Sequence, residues 1–189
     1  LTRLSTDGRY VVGSVRRSAG PVLVLDTKTS QWRNIEGVMD GIIDPNGSRL
    51  VASLSSENRV TVQPLSGGGE KRIYRTVDGL RDWAYDFESK RLYIADPTAL
   101  VIVGDDGAVR RMERPGGVDC PLSVSFQPRL REVWVGGNGA FTSPRTPAVL
   151  SPEGELIGRI PVDALEFYGM EMDQETRRLL SSHLHQRSR

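Results

Sequence analysis

Few side chains of this sequence stand at spacings that could support chemistry, and one such pair is His183 and His185. Residues two apart in a β-strand point to the same side, so this pair could hold Zn²⁺ or supply a general base. The alternative is that both histidines belong to a frayed polar tail. The pair therefore predicts a metal or proton-transfer site only if a strand runs through it.

Cys120 is the single cysteine, which excludes an intrachain disulfide and a cysteine-based metal site. A nucleophilic thiol needs a nearby base, and the two histidines lie far along the chain. We therefore expect Cys120 to be a small buried thiol among apolar neighbours. The sequence also contains no G-x-S-x-G, P-loop, G-x-G-x-x-G or H-E-x-x-H motif.

The elements that would position such side chains are short apolar runs, which are clearest between residues 82 and 112. The runs DWAYDF, RLYIA, ALVIV and AVRRM are separated by clusters of turn-forming residues. The middle two runs barely alternate between apolar and polar residues, so both faces of their sheet should be covered. A four-stranded antiparallel sheet that is buried on both faces without helices is typical of a β-propeller blade.

The same unit recurs along the chain at intervals of roughly 40 residues, which is the mark of a repeat array. A second strand opens after a turn in each repeat, at Arg9, Arg49, Arg91, Glu132 and Arg178. We predict an all-β chain of about four blades, each a four-stranded antiparallel sheet. The predicted blades span about 1–38 (partial), 39–78, 79–117, 118–163 and 164–189 (partial), and the first is expected to lack its inner strand.

The predicted strands exceed what a closed ring of four blades would use, so we predict an incomplete ring of a larger propeller. The terminal blades of such a ring expose apolar faces and unpaired strand edges. We expect another chain, a second copy of this chain, or missing blades of the same protein to cover them.

One face of the predicted disc collects polar residues. Strand direction alternates within a blade, so inner strands start, and second strands end, on the same face. That rule brings together Asp40, Asp82, Ser123 and Asp96. The longest loop lies over this face and contributes Asn138 and Arg145. We predict that this face binds a small-molecule ligand or a protein partner.

The apolar inner strand followed by D-x-x-x-x-R-L-Y-I-A-D resembles the NHL, YVTN and SMP-30/gluconolactonase-like group of β-propellers. The resemblance implies a hydrolase, a lyase or a binding platform. In the lactonase members a D-G pair opens an inner strand and brings a carboxylate to a divalent cation. Asp40, followed by Gly41, matches that position, and Asp82 occupies the equivalent place one repeat later.

The resemblance therefore implies a cation such as calcium, held in part by Asp40 and Asp82, and a metal-dependent sugar lactonase as the alternative function. Calcium takes six to eight oxygen ligands, and the asparagine and glutamate ligands of that group have no matching position here. The competing interpretation is that both aspartates accept backbone N–H groups in turns.

Composition narrows the function classes further. The 189 residues carry a net charge of +1 and are 38% hydrophobic, and the longest aliphatic run is far shorter than the ~20 residues of a membrane-spanning helix. Arginine pairs occur at 16/17, 110/111 and 177/178, scattered over different repeats, so we expect a solvated rim and no nucleic-acid binding. The compartment stays open, with a secreted or periplasmic protein among the alternatives.

Overall fold

The computed structural model describes residues 2–5, 7–14, 22–35, 40–44, 46–54, 58–65, 72–75, 79–137, 147–160, 166–167, 170–173, 178–181 and 184–185. The regular elements among these residues are β-strands joined by turns, together with one short 3-10 segment, Pro115–Gly117. The chain divides into two compact units, Leu1–Val77 and Asp78–Arg189. Each unit is built from four-stranded antiparallel sheets.

The first unit contains two such sheets, and in both the strands follow chain order. The first sheet consists of β1 (Thr2–Leu4), β2 (Tyr10–Ser14), β3 (Val22–Asp26) and β4 (Gln31–Ile35). The second consists of β5 (Asp40–Ile43), β6 (Arg49–Leu54), β7 (Arg59–Pro64) and β8 (Arg72–Arg75).

The second unit also contains two four-stranded sheets, again in chain order. The third sheet consists of β9 (Asp82–Asp86), β10 (Arg91–Ala95), β11 (Leu100–Val103) and β12 (Val109–Met112). The fourth consists of β13 (Pro121–Gln127), β14 (Glu132–Gly137), β15 (Ala148–Leu150) and β16 (Leu156–Arg159).

Two further strand pairs follow in the second unit. Strand β17 (Glu166–Phe167) pairs with β20 (Leu184–His185), and β18 (Met170–Asp173) pairs with β19 (Arg178–Ser181). A strand therefore does run through His185, although the structure describes only its backbone.

Tight hairpins set the register of these sheets. In four of them the residue just before the next strand has a positive φ although it is not glycine. These residues are Ser30, Asn58, Lys90 and Arg131. The turn between β9 and β10 is further held by Asp86, whose Oδ1 accepts from the Glu88 N–H at 3.0 Å and whose Oδ2 accepts from the Ser89 hydroxyl. The aspartate that ends an inner strand is thus a turn cap, as short polar side chains often are.

The core of each unit lies between its two four-stranded sheets. In the second unit Tyr93, Leu100, Val133 and Leu150 are among the buried residues that pack together, and in the first unit Val22, Val24 and Leu50 do the same. Strand β10 is buried along its length after Arg91, which confirms the prediction that the non-alternating runs are covered on both faces.

Two predictions from the sequence were wrong, the one for the first sheet and the one for Cys120. Residues 2–4 form β1, paired with Val11, Val12 and Gly13, so the first sheet has four strands and not three. Three residues with one aliphatic side chain are too short to show a strand pattern. Cys120 is exposed and adopts φ 48°, because Val118 turns inward while the Asp119 and Cys120 carbonyls lie against Gly137.

Candidate functional site

The described part of the predicted face lies at one end of the third and fourth sheets. Asp82 begins β9 opposite Ala95, the last residue of β10, and Asp96 follows directly. Ser123 stands in β13 opposite Gly136 near the end of β14. The structure therefore brings Asp82 and Asp96 to the same end of one sheet, as predicted, with Ser123 at the corresponding end of the next.

Asp96 organises the turn between β10 and β11. Its side chain is 1% exposed, and Oδ1 accepts hydrogen bonds from the Thr98 N–H at 2.9 Å and the Ala99 N–H at 2.6 Å. Its Oδ2 accepts from Arg111 Nη1 at 2.6 Å. A buried carboxylate is costly unless it is paired and hydrogen-bonded, and here both conditions are met.

Arg111 is the residue of this site that sequence analysis did not find. Its side chain is 39% exposed, and besides Asp96 it donates to the Thr98 hydroxyl. We expected the arginine pairs to form a solvated rim, and the Arg111 guanidinium does reach solvent. The sequence did not show that this guanidinium also pairs with the buried carboxylate of Asp96. The strand register explains why Arg111 lies close to Asp96. Arg111 pairs with Val101, in the strand that follows the Asp96 turn, and this pairing cannot be read from the sequence alone.

Asp82 links two sheets of the second unit. Its Oδ1 accepts from the Trp83 N–H at 2.9 Å, and its Oδ2 accepts from the Val124 N–H at 3.0 Å. The Val124 N–H belongs to β13 of the neighbouring sheet, which lies beside a register shift between Pro121 and Ser123. The carboxylate therefore satisfies backbone donors, which is the competing interpretation given to it from the sequence.

Ser123 is fully buried, and its hydroxyl oxygen has no hydrogen-bond partner among the described residues. An unpaired buried hydroxyl costs on the order of 1–3 kcal/mol. The segment before β13 carries an ion pair in which Arg114 Nε lies 2.7 Å from Asp119 Oδ1, and the Asp119 carbonyl lies against Gly137 at the end of β14. This segment adds polar, solvent-facing groups to the same end of the fourth sheet.

The remaining predicted site residues are described incompletely. Asn138, Arg145 and His183 lie outside the described residues. For Asp40 and His185 only the backbone is described, with Asp40 opposite Ser53 at the start of β5 and His185 opposite Glu166. Within the described ranges, no three side chains of His, Cys, Asp or Glu lie together in a way that could hold a metal ion.

The opposite end of the second unit carries a second polar network that the sequence did not indicate. Arg131 Nη2 lies 2.9 Å from Asp86 Oδ2, and its guanidinium stands over the Phe126 ring at 5.2 Å. Phe126 in turn stacks on Tyr93, with ring centroids 5.6 Å apart. Burial raises the pKa of Tyr93 to about 12, and its hydroxyl donates to the Pro152 carbonyl at 3.3 Å. These contacts join the third and fourth sheets.

Comparison with solved structures identifies the fold. The β-propeller domain of Cps50 (Swd1) from Myceliophteria thermophila matches with a TM-score of 0.70 and 13% identity, over 95% of this chain and 61% of that chain. Virginiamycin B lyase from Staphylococcus aureus matches with a TM-score of 0.62 and 14% identity, over 89% of this chain and 58% of that one. Hydrazine synthase from Kuenenia stuttgartiensis matches with a TM-score of 0.64 and 14% identity, over 87% of this chain and 49% of that one.

The chain therefore has a β-propeller fold of four-stranded antiparallel blades, and the predicted fold class is confirmed. It spans between about half and three fifths of the length of these three structures, as an incomplete propeller does. No model of a known family matches the sequence, and no curated protein does. Among the described residues, no helix is long and apolar enough to cross a membrane.

Proposed function

We propose that this chain is part of a β-propeller that binds a ligand or a protein partner at the sheet ends carrying Asp82, Asp96 and Arg111, called here the Asp96 face. The observation that carries the proposal is the arrangement of Arg111, an exposed guanidinium held over a tight turn by a carboxylate that is 1% exposed. A donor that is already fixed in place loses little entropy on binding, which favours recognition.

The residues predicted for this face take two roles in the proposal. Asp82 and Asp96 position the strand ends through their bonds to backbone N–H groups and to Arg111. Asp40, Asn138 and Arg145 keep the ligand-binding role that the sequence predicts for them. Ser123 is fully buried at the corresponding end of the next sheet, so it is not proposed to contact the ligand.

The proposal includes a partner for the sheets themselves. The chain spans 49% to 61% of the three similar solved structures. Further blades, from the same polypeptide, a second copy or another chain, are proposed to cover the edges and apolar faces that a partial set of blades exposes. Each four-stranded sheet is taken as one blade, and residues 164–189 are assigned to a further, partial blade.

An enzymatic activity is the second candidate, since two of the similar structures are named as a lyase and a synthase. In this candidate the chain belongs with the NHL, YVTN and SMP-30/gluconolactonase-like propellers and hydrolyses a lactone with the help of calcium. The bonds that Asp82 already makes to two backbone N–H groups speak against it as a metal ligand. We therefore rank binding first.

Two adjacent arginines allow a matched test of the binding proposal. Arg111 reaches the Asp96 face, while Arg110 donates to the Glu153 carbonyl in the β15–β16 hairpin of the neighbouring sheet. A library of small molecules would be screened by thermal shift on the unaltered protein and on Arg111→Ala and Arg110→Ala. We expect compounds whose stabilisation disappears in Arg111→Ala and persists in Arg110→Ala. Equal losses in both variants would contradict the role of Arg111. The absence of any stabilising compound would contradict small-molecule binding and leave only a protein partner for this face.

The hydrolase candidate is tested separately with calcium. At a concentration 100 times its dissociation constant, a bound cation stabilises the fold by about 2.7 kcal/mol. If Asp40 holds calcium, the melting temperature should rise in millimolar calcium and Asp40→Asn should remove most of the rise. A flat response in both proteins leaves only the binding proposal.

A further inference from the structure

The first unit contains a cavity of about 100 Å³ at the end of its sheets opposite to Asp40. This cavity is called the Arg9 pocket. Its lining comes from both sheets and consists of Arg9, Tyr10, Val24, Asp26, Gln31, Arg33, Gly47 and Leu65. A water occupies about 30 Å³ in the liquid, so the pocket has room for a small molecule.

Hydrogen-bond donors without partners dominate the polar lining. Arg9 Nε is buried and has no partner among the described residues. Within that same part of the chain, the Arg33 guanidinium, the Gln31 amide and the Tyr10 hydroxyl also make no hydrogen bond. Of these donors only Arg9 Nε is buried, and leaving it unpaired is unfavourable. Gln31 and Arg33 are exposed and open to solvent, so an occupant with acceptor oxygens would satisfy Arg9 Nε and bring an opposite charge to Arg33.

The acidic residue of the pocket is already neutralised. Asp26 Oδ2 accepts from Arg9 Nη2 at 3.1 Å, and Asp26 Oδ1 accepts from the Lys28 N–H at 3.0 Å. The hydrogen bond from Arg9 lowers the pKa of Asp26, so the carboxylate stays ionised and paired. With Asp26 balanced by Arg9, the charge of Arg33 remains, and the lining carries one net positive charge.

Two contacts of the Tyr10 side chain shape the pocket. Arg9 Cζ stands over the Tyr10 ring, 4.8 Å from its centroid, and this cation–π contact helps to hold the guanidinium in place. Gly47 adopts φ +68°, and a Cβ there would collide with the Tyr10 hydroxyl. The hairpin between β5 and β6 can therefore close on the Tyr10 ring only with glycine at this position.

We propose that the Arg9 pocket binds a small oxyanion, a carboxylate or a phosphate group, through Arg9 Nε and the Arg33 guanidinium. Either group offers at least two oxygen acceptors to the uncommitted donors, and its negative charge meets the net positive lining. Charge-assisted bonds of arginine to carboxylate and phosphate are short and strong. This site is separate from the Asp96 face and does not depend on the function proposed for it.

The test titrates the whole chain with inorganic phosphate and, separately, with acetate, against sodium chloride at equal ionic strength. Binding is followed by calorimetry and by the ¹H–¹⁵N signal of Arg9 Nε. We expect saturable binding of at least one anion and a shift of that signal. Binding of phosphate only assigns the site to phosphorylated ligands, and binding of acetate only assigns it to carboxylates.

Single substitutions distinguish anion binding in the Arg9 pocket from a general effect of salt on the protein. Arg33→Gln should weaken binding by about tenfold or more, as expected for loss of a bond to a charged group. Arg75→Gln is the control, because it removes the same charge from an exposed position opposite Arg59, at the other end of the second sheet. Arg9→Lys keeps the charge beside Asp26 and removes Nε, so it should also weaken binding.

Two results would overturn the proposal. One is stabilisation by phosphate that is equal in the unaltered protein, Arg33→Gln and Arg75→Gln, as an excluded salt produces. The other is an Arg9 Nε signal that neither anion shifts up to the concentration at which sodium chloride alone shifts it. Both results are readable without a folded Arg9→Lys variant, because the Arg33 substitution changes an exposed side chain.

Discussion

Replacing Asp96 by alanine should destabilise the second unit by about 2–4 kcal/mol. The largest part comes from the Ala99 N–H, which donates to Asp96 Oδ1 at 2.6 Å from a residue that is 0% exposed. Leaving a buried donor unpaired costs about 1–3 kcal/mol. The Thr98 N–H loses the same acceptor, but Thr98 is exposed and water can replace it.

The ion pair with Arg111 adds a smaller amount to the cost of Asp96→Ala. Arg111 is 39% exposed, so its guanidinium can return to water when the carboxylate is gone. Partly exposed ion pairs contribute up to about 1 kcal/mol. Asp96→Asn keeps an oxygen for the Ala99 N–H but replaces the Oδ2 that accepts from Arg111 with an NH2 donor. Because Arg111 can turn to water, we expect this variant to cost about 1 kcal/mol.

Thermal unfolding followed by circular dichroism measures these differences. A loss of 2–4 kcal/mol in a chain of this size lowers the melting temperature by roughly 5–15 °C. Asp105→Ala is the matched control, since Asp105 pairs with Lys90 at 3.1 Å on the surface and should change the melting temperature by at most about 3 °C. If Asp96→Ala is as mild as Asp105→Ala, the carboxylate does not hold the turn and the argument for a fixed Arg111 fails.

Three further outcomes follow from the same contacts. Gly137→Ala should cost about 1–3 kcal/mol in chemical denaturation, because its Cβ would lie 2.6 Å from the Asp119 carbonyl oxygen, whereas Gly158→Ala meets nothing within 4 Å and should be close to neutral. Tyr93 has its pKa raised from 10.0 to about 12, so stability should fall as pH rises between these values, and Tyr93→Phe should remove that slope in pH-dependent unfolding. Glu153 has its pKa lowered by the hydrogen bond from Arg91, so its contribution is present above pH 4.5 and is lost as pH falls; since the pair is exposed, Glu153→Gln should change stability by under about 1 kcal/mol.

The sequence predicted the sheets well because their signal is local. Apolar runs such as RLYIA and ALVIV, bounded by turn residues, became β10 and β11 within one residue of the expected ends. A repeat of roughly 40 residues reinforces each weak strand with its equivalents. The short β1 escaped because three residues carry no periodicity, and its pairing depends on the tertiary partner β2.

The sites were harder to predict because they depend on register and on contacts across hairpins. Asp82 and Asp96 could be placed at one sheet end from alternating strand direction alone. The donors that these carboxylate oxygens bind could not be predicted, because the Val124 N–H is 42 residues away from Asp82 in the sequence. Cys120 shows the same limit, because its exposure follows from a left-handed backbone that no composition rule reveals.

The Arg9 pocket and the Asp96 face differ in how completely their charged groups are paired. We therefore expect them to respond differently to added anions. At the Asp96 face a buried carboxylate has an arginine partner, and the pair fixes a turn while leaving the guanidinium partly exposed. In the Arg9 pocket the ion pair leaves Arg9 Nε buried without a partner in the described structure, next to the uncommitted Arg33. The first arrangement is complete without a ligand, while the second lacks acceptors. The pocket should therefore depend more strongly on the anion present than the face does.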